Sequence, residues 1–224
     1  MKLRARFLLP TFLLVLLFGR HAQADPIIYA SASPPDEIGG ALHFNATDFI
    51  GVKFAVDTPV VTSAIGGHFS QFSPGPVFGA IVALSGFDDL PDSSDLSTPD
   101  VLGTTLLSLS GVAHDTGGSL MLALQPGVYG LVFGSGLFGA TGVGLMSFGG
   151  TAIGNPAFFF KDEFFPQFRE AQGAFNPVRL FVQGPAQPAP VPEPATILLF
   201  GTGAAAISRS AWKRRRTLTR HDRG

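Results

Sequence analysis

Ile50, Val52, Phe54 and Val56 alternate with Gly51, Lys53 and Ala55, and Leu120, Leu122 and Leu124 repeat the same two-residue step. Successive side chains of a strand point to opposite faces, so this period predicts half-buried β-strands at both places. Short apolar runs at 60–65, 77–84, 104–109, 128–133, 143–148, 157–160 and 178–182 add further strands. Pro74-Gly75-Pro76, Gly117-Gly118 and Pro126-Gly127 supply the turns between them. No stretch between 25 and 183 holds a helical period for three turns, and no repeat is visible, which argues against a propeller or β-helix. The expected fold is all-β, a β-sandwich of jelly-roll kind over residues 25–183.

The two ends break this pattern. Lys2, Arg4 and Arg6 precede a mainly apolar run from Phe7 to Phe18, and Ala22-Gln23-Ala24 follows. A basic start, an apolar stretch too short to span a bilayer and an A-x-A site predict a signal peptide over 1–24, cut by signal peptidase after Ala24. At the other end, the proline-rich spacer 184–191 leads into Pro192-Glu193-Pro194. Proline fixes φ and lacks an N–H, so the approach stays extended, the form in which a protease binds its substrate. Residues 195–211 then form an apolar run of roughly 25 Å as a helix, enough for a single transmembrane pass. Gly201 and Gly203 permit close packing on another helix, and Trp212 suits the membrane interface. Lys213, Arg214, Arg215 and Arg216 form a basic stop cluster held in the cytoplasm, leaving 217–224 as a cytoplasmic tail.

Charge sharpens this division. The net charge is −1, yet residues 25–190 carry four bases against fourteen acids, and the surplus of base lies at the two ends. An acidic body excludes a nucleic-acid partner, which requires a basic face. With Cys 0, disulfides, thiolate zinc sites and a cysteine nucleophile are excluded, and the exported fold must stand on its core.

Pro192-Glu193-Pro194 followed by Ala195-Thr196, Gly201-x-Gly203 and the terminal arginine run closely resemble the PEP-CTERM sorting signal of Gram-negative bacteria over 191–216. That resemblance implies recognition of Pro192, Glu193 and Pro194 by an exosortase and a transient stay in the inner membrane. It also implies release to the cell surface or extracellular matrix, in association with exopolysaccharide and biofilm. The fragments Phe78–Val82, Leu124–Tyr129, Phe133–Gly139 and Val178–Val182 are similar to domains of the same class of surface protein, which adds support for a sandwich and brings no activity.

Candidate chemistry in the body is thin. Asp88, Asp89, Asp92, Asp95 and Asp100 fall in one loop; calcium takes oxygen ligands, but the spacing departs from the EF-hand pattern and better suits a solvated acidic loop. His43, His68 and His114 are the histidines available for catalysis, the last beside Asp115. No Gly-x-Ser-x-Gly elbow or His-Glu-x-x-His pair accompanies them, so no catalytic residue and no enzyme activity is expected. The alternative is a polysaccharide-binding, lectin-like module. Against it, the one tryptophan lies in the tail and the only tyrosines are Tyr29 and Tyr129. Phe158, Phe159, Phe160, Phe164, Phe165 and Phe168 read as core or packed loop; if exposed, they form a patch suited to self-association. The sequon Asn45-Ala-Thr47 carries no weight in a chain of the bacterial origin that the resemblance implies.

Overall fold

The computed structural model describes residues 25–35, 40–171 and 177–185. The signal-peptide, transmembrane-helix and basic-cluster expectations lie outside these residues. All described residues fall in one compact unit, Ala24–Ala186. The described residues form fourteen strands: β1 (Ile27–Ala30), β2 (Ala41–Phe44), β3 (Phe49–Val56), β4 (Val60–Val61), β5 (Ala64–Ser73), β6 (Val77–Leu84), β7 (Val101–Leu107), β8 (His114–Ser119), β9 (Ala123–Leu124), β10 (Gly127–Gly134), β11 (Val143–Ser147), β12 (Ala157–Lys161), β13 (Arg169–Glu170) and β14 (Leu180–Gln183).

Two six-stranded antiparallel sheets face each other as a β-sandwich. One runs β1-β14-β5-β11-β2 with β8 on the other side of β5; the second runs β13-β12-β3-β10-β6-β7. Following β2, β3, β5, β6, β7, β8, β10 and β11 in order, the chain changes sheet at every step except β6 to β7. The long strand β5 is shared along one side by β14 at Ala64–Gly67 and β11 at Phe69–Ser73.

The alternation read in β3 is realised. Ile50, Val52, Phe54 and Val56 enter the core between the sheets with Leu131 and Phe133 of β10, Ile65 and Phe69 of β5, and Leu180 and Val182 of β14. The three leucines also point inward, but 120–124 is not one strand. The Thr62 hydroxyl donates to the Leu120 carbonyl and accepts the Leu122 N–H, which leaves only the two-residue ladder of β4 and β9.

Gly117-Gly118 is not a turn, contrary to the sequence reading. It lies inside β8, paired with Gly66 and Ile65 of β5. A Cβ on Gly66 would sit 2.2 Å from the Thr116 carbonyl oxygen, and one on Gly118 2.8 Å from the Thr105 side chain, so the glycines let β8 pass between β5 and β7.

With 28 Gly and 22 Phe in the chain, a second use of glycine recurs. Gly51 lies opposite Phe159, Gly66 opposite Phe181 and Gly144 opposite Phe44. In each pair the ring covers its glycine so closely that a Cβ would fall 2.1–2.7 Å from it. The ring fills the space that the missing side chain leaves.

The outer face of the second sheet is also covered. Phe49, Phe78, Val132 and Phe159 form a second cluster there with Leu96, Ala140 and Phe168. Lys53 points into this outer layer with its side chain fully buried, its ammonium donating to the Phe87 carbonyl and pairing with Glu170 at 2.6 Å. The aliphatic stem packs while the charge is satisfied, and the acidic loop and β13 are both fastened to β3.

The ends of the described chain meet. Gly184 donates its N–H to the Pro26 carbonyl, and the Ser63 hydroxyl lies 2.6 Å from the Asp25 carboxylate and 2.8 Å from the Gly184 carbonyl.

Candidate functional site

The chain turns from β2 to β3 over Asn45–Asp48, and this turn is locked by its own side chains. The Asn45 side-chain oxygen accepts the N–H groups of Thr47 and Asp48, and its side-chain amide NH2 donates to the Asp48 carboxylate at 2.7 Å. The sequon asparagine is thus a turn former. At the end of β12, Asp162 caps the next turn in the same manner, accepting the N–H groups of Phe164 and Phe165. These two turns flank a cleft of about 390 Å³ where β2 faces β12. Leu42, Phe49, Ile50 and Phe160 give it an apolar lining; His43, Asp48, Lys161 and Asp162 give it polar groups. The Lys161 ammonium lies 4.2 Å from the centre of the Phe49 ring. Burial lowers its pKa, with the charges of Asp95 and Asp48 pulling the other way. His43 meets the exposed ring of Phe72 edge-on at 4.8 Å.

The other histidines sit elsewhere. His114, on β8, bonds to Ser110, Thr116 and the Val112 carbonyl. Its sequence neighbour Asp115 instead pairs across the sheet with His68 of β5 at 3.0 Å, and its second oxygen accepts Arg179 Nε at 2.8 Å. Arg179 is buried, donates also to the Ala32 carbonyl, and spans three segments of the sheet. Among the described residues no hydroxyl is hydrogen-bonded to His68, so this dyad is joined to a cation rather than to a nucleophile. Sequence spacing gave no sign of the pairing, because the partners are brought together by β5–β8 register.

The five acids of the 88–100 loop are not gathered. Asp89 accepts the Ser85 N–H and hydroxyl, with the Leu90 N–H on its other oxygen; the Ser85 bonds are the main reason its pKa lies below the usual range. Asp95 accepts the Ser97 hydroxyl and N–H, and is likewise lowered chiefly by that hydroxyl. Asp100 accepts the Asp92 N–H, and its other oxygen is buried without a partner. Asp88 is exposed. Among the described residues no three His, Asp or Glu side chains are placed to hold a metal ion. Each engaged carboxylate is turned towards nearby backbone and hydroxyls of its own loop, which competes with convergence on a common point.

The phenylalanine group divides. Phe158 lies in the core between the sheets, Phe159 and Phe168 in the outer cluster, and Phe160 lines the cleft. Phe164 and Phe165 are exposed at the β12–β13 turn, where Arg169 stacks 3.4 Å from the centre of the Phe165 ring. Tyr129 donates to the Gln125 carbonyl at 2.7 Å, fixing the Pro126-Gly127 turn into β10.

The family described as the PEP-CTERM protein-sorting motif matches residues 190–216. The chain therefore carries a PEP-CTERM sorting segment, which marks an exported protein on the exosortase route with a C-terminal signal for membrane transit. No curated protein matches the sequence.

Proposed function

We propose that this is a non-enzymatic surface or extracellular-matrix protein, associated with exopolysaccharide and biofilm, whose body is a jelly roll handed over by exosortase cleavage of its tail. The match at 190–216 carries this reading. Signal peptidase cuts after Ala24, directly before Asp25, the first described residue, and the sorting match begins at 190, beyond Ala186, where the compact unit closes. Both cuts then leave residues 25–185 joined. The jelly-roll assignment is supported by the order β2-β11-β5-β8 opposite β3-β10-β6-β7. The non-enzymatic role is supported by a His68–Asp115 pair engaged with Arg179.

The test is replacement of Pro192, Glu193 and Pro194 by alanine, followed by the C-terminal mass and location of the mature protein. The wild type is expected to lose Lys213–Arg216 and leave the membrane, and the variant to keep both. A wild-type surface form that retains its arginines refutes the reading. A second reading, a saccharide-binding module on the same route, is favoured by the amphipathic cleft between β2 and β12.

A further inference from the structure

We infer that the β2–β12 cleft is a binding site for a neutral pyranose unit of a glycan, an assignment that rests on the second reading above. A pyranose is amphipathic: its C–H faces are apolar and its rim carries hydroxyls that both donate and accept. The cleft mirrors that division, with Leu42, Ile50 and Phe160 as apolar walls and His43, Asp48, Asp162 and Lys161 around them. Its volume of about 390 Å³ lies in the lower part of the ~300–1,000 Å³ range of small-ligand sites.

The polar groups are preorganised. Asp48 is held by Asn45 and Thr47, and Asp162 by two backbone N–H groups of its own turn. A carboxylate fixed in this way retains lone pairs for ligand hydroxyls and loses little freedom on binding. The lining also selects against anions. The lining holds two carboxylates and one ammonium, and that ammonium already rests on the Phe49 ring beside the charges of Asp95 and Asp48. A uronic acid would bring a third carboxylate to a cation already matched.

The location suits presentation of a bound glycan. The cleft opens at the Phe49 end of β3, whereas the spacer leaves from Gly184, beside Ser63 and past the Val56 end. The eight residues of β3 separate these ends by roughly 23 Å.

Saturation-transfer NMR on the full chain in a sugar-free zwitterionic detergent provides the test. The probes are the methyl pyranosides of glucose, galactose and mannose, N-acetylglucosamine, and glucuronic acid. At least one neutral probe is expected to receive saturation at its ring protons and to bind at least about tenfold more tightly than glucuronic acid, about 1.4 kcal/mol. His43→Ala and Asp48→Asn are expected to weaken it by about tenfold, while Phe164→Ala at the β12–β13 turn leaves it unchanged. His43 is exposed, so its variant remains informative if Asp48→Asn disturbs the turn. No transfer to any neutral probe at a Kd of about 10 mM or tighter, or affinity indifferent to His43→Ala, overturns the assignment. The assay uses purified protein, so it is independent of whether the tail is sorted.

Discussion

The two faces of the β13-β12-β3-β10-β6-β7 sheet solve the same burial problem by different means. Towards the other sheet, β3 and β10 present Ile50, Val52, Phe54, Leu131 and Phe133 to strands that bear on them directly. Away from it, Phe49, Phe78 and Phe159 are roofed by Leu90, Leu96, Leu137, Ala140 and Phe168, all from connecting segments. Connections carry fewer ladder bonds than strands, so the outer roof needs fasteners, and Lys53 is one. Its charge reaches the Phe87 carbonyl and Glu170 from beneath. The inner core is held by shape and by neutral hydrogen bonds at its margin, from Tyr129 and Thr62; the outer is held by shape and a charged pin. A sheet buried on both faces therefore need not have equally rigid faces.

The largest expected effect separates the two layers at equal chemistry. Phe133→Ala removes a fully buried ring between two sheets that cannot close the gap, and should cost about 4 kcal/mol. Phe159→Ala removes an equally buried ring, but the roof above it can settle, and about 2–3 kcal/mol is expected. Urea denaturation of both variants measures the difference. Equal losses would mean that the roof is as stiff as a sheet.

The pin gives the next largest effect, and an asymmetric one. Glu170→Ala leaves the Lys53 ammonium buried with a single carbonyl partner. Glu170 itself is 56% exposed in its side chain, so water can partly compensate, and a loss of about 2 kcal/mol is expected. Lys53→Met removes the charge together with the need to satisfy it and keeps most of the packing. The Phe87 carbonyl loses its donor, so the cost should be about 1 kcal/mol or less. Hydrogen exchange should show the 85–100 loop loosened in both variants. If Lys53→Met is the more damaging, the pin holds more of the structure together than the pairing with Glu170 implies.

A related contrast concerns how glycine is used. Gly51→Ala places a methyl 2.4 Å from the Phe159 ring and 2.9 Å from the Leu131 carbonyl. The ring lies in the outer layer and can shift, so about 1–2 kcal/mol is expected from overpacking. Gly66→Ala meets the Thr116 carbonyl and the Gly117 Cα as well as a ring, and backbone cannot yield by a rotamer change. Its thermal midpoint should fall further than that of Gly51→Ala.

How much of this was legible follows from the same two faces. Period-two alternation marked β3 because Ile50, Val52, Phe54 and Val56 all meet the inner core. It said that Lys53 faces the other side, but nothing about that side being roofed, since the roof comes from loops distant in sequence. β8, and β5 beyond Ile65, escaped notice because Gly66-Gly67 and His114-Asp-Thr-Gly-Gly-Ser119 carry turn residues. Their glycines serve close approach, a property of the neighbouring strand rather than of the segment. The cleft was invisible for a similar reason: Asp48 and Asp162 lie 114 positions apart and meet only because β3 pairs with β12. The sorting segment, in contrast, was readable because its signals are contiguous and need no fold to bring them together.

The smallest effect tests whether the Tyr29 hydroxyl contributes to the inner layer beyond the shape of its ring. Tyr29 stacks on Phe54 at 5.2 Å between ring centres, and its hydroxyl is buried with no hydrogen-bond partner. Burial raises its pKa well above the usual phenol value, so the folded state holds the proton more tightly than the unfolded one. Stability from this source is complete below the unfolded pKa of about 10 and is lost as pH rises above it. Tyr29→Phe keeps the stacking and removes the unsatisfied group, so at neutral pH it should be neutral or more stable by up to about 1 kcal/mol. It should also flatten the decline in stability at alkaline pH, measured by urea midpoints on either side of pH ~10. A variant distinctly less stable than wild type would mean that the hydroxyl is satisfied by water, and Tyr29 would then join Tyr129 as a polar fastener of the inner layer.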